Sequence, residues 1–127
     1  MKTKSKIQIV ACGPGLDSIN AGYGRSCDWL ESIIKSDFLD INIVEAYKEE
    51  IPLLDSNVAW IIMGSRYSAY SDLDWISSLE KSLQNGIKSK IPMLGICFGH
   101  QILCKALGAK VVKNDNGWEI GSSQIYL

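Results

Sequence analysis

Histidine is nearly absent from this 127-residue chain, which has one, and its four cysteines include no Cys-x-x-Cys pair. A single imidazole and unpaired cysteine spacing leave no ligand set for zinc, so no metal is expected. Neither charge sign dominates: 13 Lys and Arg stand against 14 Asp and Glu, with no basic stripe. That balance points to no nucleic acid and no anionic membrane surface as a partner. Long apolar runs are also missing. The first, 7–12, ends at Gly13-Pro14-Gly15 and is too short for a signal-peptide core or a membrane span. Lys2, Lys4 and Lys6 in front of it read as a solvated leader, and a cytoplasmic chain is expected. Nothing suggests a second domain, and the length suits one domain with a real hydrophobic core.

What is present is an alternation of strand-like and helix-like segments. Apolar runs at 7–11, 41–46, 58–63 and 91–96 read as strands, and 25–35, 72–85 and 98–107 read as helices. This alternation predicts an α/β, doubly wound, mostly parallel sheet. The helix after Ser71 has Ile76, Leu79, Leu83 and Ile87 at core spacing, Ser71 as its N-cap candidate and Asn85-Gly86 as its stop signal. Gly13-Pro14-Gly15 followed by Gly22-Tyr23-Gly24 lacks the endings of a phosphate loop and reads as a flexible loop. Near the end, Asn114-Asp115-Asn116-Gly117 between apolar flanks is a β-hairpin signal.

Gly95-Ile96-Cys97-Phe98-Gly99-His100-Gln101 is the most informative stretch, because it places a cysteine where a strand turns sharply into a helix. Side chains two positions before and after the cysteine would collide where strand and helix cross, so glycine at both places is a steric requirement. The helix N-terminus favours thiolate over thiol, and the N–H of Phe98 can donate to an oxyanion formed on an attacked substrate. The bland alternative is an ordinary turn around a buried, inert cysteine. Cys12, Cys27 and Cys104 lack this setting and read as fillers. Cys97 and Cys104 are separated by a helical rise of roughly 10 Å, too far for a disulfide, so reduced thiols are expected.

The string from Gly95 to Gln101 resembles the nucleophile elbow of class I glutamine amidotransferases. A second block, Val58-Ala59-Trp60-Ile61-Ile62-Met63 ending in Gly64-Ser65-Arg66 with a loop reaching Asp74-Trp75, looks most like their GMP-synthase-like branch. The resemblance implies a flavodoxin-like fold in which Cys97 attacks the side-chain amide of glutamine and no cofactor takes part. It implies oxyanion donors at Gly64 and Phe98. Other branches carry a second glycine where Ser65 stands, so the first donor is at 64 or 65. Gln101 and Ser65 are implied to bind substrate, while Gly95, Gly99 and His100 support the elbow. Trp118-Glu119-Ile120-Gly121 resembles a segment that borders the site, or else is a hairpin strand with a packed tryptophan.

In that family the base comes from a His-x-Glu pair further along, and this sequence contains none. Residues 1–127 are therefore expected to form an incomplete amidotransferase domain, the N-terminal part, inactive by itself. The implied partners are glutamine as substrate and an ammonia-accepting synthetase domain or subunit. Gly13, Gly64 and Cys97 all follow strand ends and are expected on one sheet edge, where open parallel sheets place their sites. Three readings stay open beside this one. His100 could itself serve as base. The chain could be a noncatalytic flavodoxin-like binding module, although 12–18 supplies little of the Ser/Thr-rich loop this needs. It could also be a protease- or chaperone-like cysteine protein of the same fold, in which a histidine usually follows the cysteine; here Phe98 does.

Overall fold

A computed structural model describes residues 3–127. Four parallel strands form one sheet: β1 (Ser5–Ala11), β2 (Leu39–Glu45), β3 (Val58–Ile62) and β4 (Met93–Gly95), in the order β2-β1-β3-β4. The helices are α1 (Asp17–Tyr23), α2 (Ser26–Ile34), α3 (Asp74–Lys88) and α4 (Phe98–Ala106). From β1 the chain moves outward one way to β2, then returns past β1 and builds the other way through β3 to β4. The reversal puts a crevice between the carboxyl ends of β1 and β3, the place where doubly wound sheets bind ligands. The expected parallel α/β architecture, flavodoxin-like in kind, is what the chain adopts.

Strand alternation sorts the core into two layers. Ile9 and Ala11 of β1 pack with Cys27, Leu30 and Ile34 on the α2 side. Val10 of β1 and Val58, Trp60 and Ile62 of β3 pack with Ile76, Leu79 and Leu83 of α3 and Phe98 and Ile102 of α4 on the other. Beyond α2 the first of these faces runs out of cover. Leu94 is 58% exposed and Ile96 40%, so the apolar run read as a strand at 91–96 is not buried along its length. Gln8, buried in β1, donates from Nε2 to the Leu53 carbonyl (3.0 Å) and accepts from the Leu53 N–H (2.8 Å), which pins the segment before β3.

Several local expectations fail for tertiary reasons. Within the supposed flexible loop, 17–23 is helical as α1. Asn85-Gly86 does not stop α3, which runs on to Lys88: Gly86 is buried against Trp60, where any Cβ would stand 3.1 Å from the indole and overlap Met93. Ser71 does not cap α3; it closes a turn with Ser68, and the N-cap is Leu73. Residues 109–127 contain no strand. The Asn114 to Gly117 turn forms, with the Gly117 N–H on the Asn114 carbonyl (3.1 Å), but its flanks do not pair. A two-stranded hairpin is marginal without a layer to pack on, and Trp118 and Ile120 are each 93% exposed. Lys6 lies within β1 and Lys4 just before it, both exposed, whereas Lys2 is outside the described residues. Among the described residues no helix is long and apolar enough to cross a membrane.

An ionic cluster ties α2 to the end of β2. The Arg25 guanidinium donates twice to Asp28 (2.9 and 3.0 Å) and once to Glu45 (2.6 Å), and Glu45 also accepts from Tyr47 (2.8 Å) and Lys48 (3.0 Å). The Arg25 bonds hold the Asp28 carboxyl below its ordinary range. Lys48 and the Tyr47 hydroxyl, with the nearby Arg25 charge, do the same for Glu45. Both carboxyls bind protons less readily folded than unfolded. Their contribution is therefore complete above about pH 4.3 and is lost as the pH falls through their lowered folded values. Arg25→Ala should cost roughly 1 kcal/mol at pH 7, given the cluster's partial exposure. Urea melts should show that difference shrinking as the pH drops below about 4; a difference that does not change with pH would rule out the ionic account.

Candidate active site

β4 ends at Gly95 and α4 begins at Phe98, leaving two residues to reverse the chain. Cys97, the N-cap of α4, takes φ 55° and ψ −113°, a region that L-residues rarely occupy and that costs on the order of 1–3 kcal/mol. The neighbouring glycines show what enforces it. A Cβ on Gly95 would stand 2.6 Å from the Gly99 carbonyl and the His100 nitrogen, and one on Gly99 would overlap the carbonyl of Ile62 in β3. The Ile96 N–H donates to that same carbonyl (2.9 Å), and the Gly99 N–H returns to Ile96 (2.9 Å). Strand and helix thus touch backbone to backbone, and Cys97 is pushed outward at their junction.

The thiol is exposed, which removes the reading of a buried, inert cysteine. All four cysteines are free. Burial pushes the Cys12 thiol up to about 12 and also raises Cys27, while Cys104 is half-buried on α4. Exposure and the junction geometry distinguish Cys97 from all three.

The end of β3 lies directly against it. A methyl group at Gly64 would be 3.5 Å from Cys97 Cβ and 3.9 Å from its Sγ, ordinary contact distances. Next to Gly64, the Ser65 hydroxyl accepts from the Tyr67 N–H (3.1 Å) and lies beside Gly13, whose Cβ position would be 3.5 Å from Ser65 Oγ. The loop after β1, the turn after β3 and the cysteine after β4 therefore meet at the carboxyl edge of the sheet. The first N–H groups of α4, including that of Phe98, have no intrahelical acceptor, while the Phe98 ring is buried beneath the turn. His100 and Gln101 occupy the first turn of α4 with exposed side chains. The 118–121 segment is exposed as well. Among the described residues no cluster of three or more His, Cys, Asp or Glu could hold a metal ion.

Sequence reasoning did not single out Tyr67 or Lys105, and took Trp75 only as the end of the loop in the family-like block. Lys105 of α4 donates to the Ala69 carbonyl (3.4 Å) and pairs with Glu80 of α3 (2.9 Å). A lysine in a helix carries no sequence signal for such a tie, because both its partners are distant in the chain.

A parallel α/β sheet with a strained cysteine between two obligatory glycines at its carboxyl edge defines a narrow structural class. Residues 34–126 match the glutamine amidotransferase class-I family, and the chain belongs to it. It is similar to a glutamine amidotransferase-like protein of Schizosaccharomyces pombe, with 32% identity over 139 aligned residues that cover 95% of this chain and 55% of that protein. Gamma-glutamyl peptidase 2 of Arabidopsis thaliana is 38% identical over 72 residues, 57% of this chain and 29% of the peptidase. The carbamoyl phosphate synthase small chain of Agrobacterium fabrum is 54% identical over 35 residues, 28% of this chain and 9% of that subunit. The chain thus spans about half of the yeast relative and under a third of the plant one. No solved structure matches it.

Proposed function

We propose that this chain carries the nucleophile half of a glutamine-hydrolysing site, with Cys97 in a nucleophile elbow. Its thiolate adds to the side-chain amide carbon of glutamine, and the carbonyl oxygen becomes an oxyanion held by the Phe98 N–H and by an N–H at Gly64 or Ser65. The C–N bond then breaks, ammonia leaves with a proton, and water hydrolyses the glutamyl thioester to glutamate and free thiol. Ser65 and Gln101 border the amide. Ammonia passes to an acceptor on a synthetase domain or subunit, as in the GMP-synthase-like branch. A reducing, cytoplasmic setting belongs to the same reading and suits four free thiols.

The observation that carries the proposal is the exposed Cys97 thiol in its strained turn, with the end of β3 one contact distance away. A second reading has support from the similarity to gamma-glutamyl peptidases. The same thiolate would open a γ-glutamyl amide whose leaving group is a peptide amine instead of ammonia. Both readings share the acyl-enzyme and differ in what departs.

Cys97 should be the first thiol to react with limiting iodoacetamide, by about 10-fold or more over the buried pair. Peptide mapping after partial labelling checks this. Earlier alkylation of Cys12, Cys27 or Cys104 would sink the nucleophile assignment.

A further inference from the structure

Three aromatic rings connect the two sides of the Cys97 turn. The Phe98 ring, 1% exposed, packs against Trp75 of α3 with ring centres 5.7 Å apart, tilted by 37°. Trp75 in turn meets Tyr67 at 5.8 Å in an edge-to-face arrangement. Tyr67 closes the path, since its backbone N–H donates to Ser65 Oγ in the turn that follows Gly64. The route therefore begins on the residue after Cys97 and ends on the turn packed against Cys97 from β3. Each link is a contact of fixed geometry: aromatic pairs favour offset and edge-on approach, and the hydroxyl bond closes a three-residue turn.

We propose that Tyr67 and Trp75 are positioning residues. With Phe98 they form a brace that fixes the spacing between the two backbone N–H groups flanking Cys97, one at Phe98 and one in the turn at Gly64 and Ser65. The proposal rests on the oxyanion role given to those N–H groups above. A strand end and a helix N-terminus are separate elements, and hydrogen-bond donors stabilise a developing charge only when both already point to where it will form. The hydrogen bonds at Ile62 and Ile96 hold the base of the junction. Nothing in them orients the 64–73 loop, whose Tyr67 packs on Trp75 of α3 and whose Ala69 is buried in the same core layer as Ile76 and Leu79. Lys105 on the Ala69 carbonyl anchors the far side of the same loop to α4.

The test compares two reactions of Cys97 in the full chain. In the first, the γ-para-nitrophenyl ester of glutamate acylates the thiol: the S–C bond forms, the C–O bond breaks, para-nitrophenolate leaves with the electron pair, and the thiol proton goes to buffer. This step passes through an oxyanion. In the second, iodoacetamide alkylates the thiol at a saturated carbon, with iodide leaving, and no oxyanion forms.

Trp75→Leu and Tyr67→Leu should slow the para-nitrophenolate burst about 10-fold or more while leaving alkylation within about twofold of wild type. Trp75→Phe, which keeps a ring in place, should recover most of the loss. Tyr67 lies in a loop outside the helices and strands, whereas Trp75 lies in α3, so the Tyr67 variant keeps the test decisive where Trp75→Leu fails to fold. Equal loss in both reactions, or no loss in either, overturns the brace. A burst that persists in Cys97→Ala overturns the nucleophile reading itself, and the brace with it.

Discussion

Gly99→Ala is expected to prevent stable folding or to cost roughly 3 kcal/mol or more, the upper range for an overpacked site. The added methyl would overlap the Ile62 carbonyl, which is backbone in a central strand and already accepts from Ile96. No side chain can swing away to relieve it, so α4 would have to lift off β3 and take Phe98 and Ile102 out of the core with it. With total stabilities of about 5–15 kcal/mol, such a loss is a large share of the whole. Gly22→Ala is the natural comparison. A Cβ there meets nothing within 4 Å, and the residue sits inside α1. That change should be neutral or stabilise by up to about 1 kcal/mol. Urea midpoints of the two variants should therefore move in opposite directions or differ widely; similar midpoints would show that strand and helix do not meet as described.

The second large effect is catalytic. The isolated 127-residue chain should release ammonia from glutamine near the uncatalysed rate, even when folded and even with Cys97 reactive. A cysteine nucleophile needs an imidazole within hydrogen-bond reach, itself oriented by a third group. Loss of the base from such a unit forfeits on the order of 10⁴-fold or more in rate. The sole imidazole here, His100, lies in the first turn of α4 with its side chain exposed, and no side-chain hydrogen bond orients it among the described residues. Without a proton carrier, ammonia cannot leave readily and the thioester cannot turn over. An electrophilic glutamine analogue should still label Cys97 slowly, and Cys97→Ala should abolish that label. Robust ammonia release, lost in both Cys97→Ala and His100→Ala, would instead make His100 the base.

Much of this arrangement is legible along the chain, because it depends on local sterics. Gly95 and Gly99 flank Cys97 at the spacing a strand-to-helix crossing demands, and the alternation of short apolar runs with helical periods is enough for a parallel sheet. The same periodicity places Ile76, Leu79 and Leu83 correctly, since a helical face repeats whatever it packs against. The failures are equally physical. Gly86 reads as a helix stop because glycine is flexible, yet the helix continues because Trp60 and Met93 occupy the space a side chain would need. Asn114 to Gly117 makes its turn from local hydrogen bonds, but strand pairing around it requires a surface to pack on.

By itself, then, the sequence determined the fold class, the position of the cysteine turn and the glycines that turn requires. Each of these is set by steric rules acting within a few residues or by a repeat along one element. Tertiary structure alone decided that Cys97 is exposed while Cys12 and Cys27 are buried, and that Gly64 stands against the thiol. It also decided that Gln8 pairs with Leu53, and that Trp75 reaches Phe98. Those facts depend on residues 20 to 45 positions apart being brought into contact, and no local pattern encodes which distant backbone a side chain will meet.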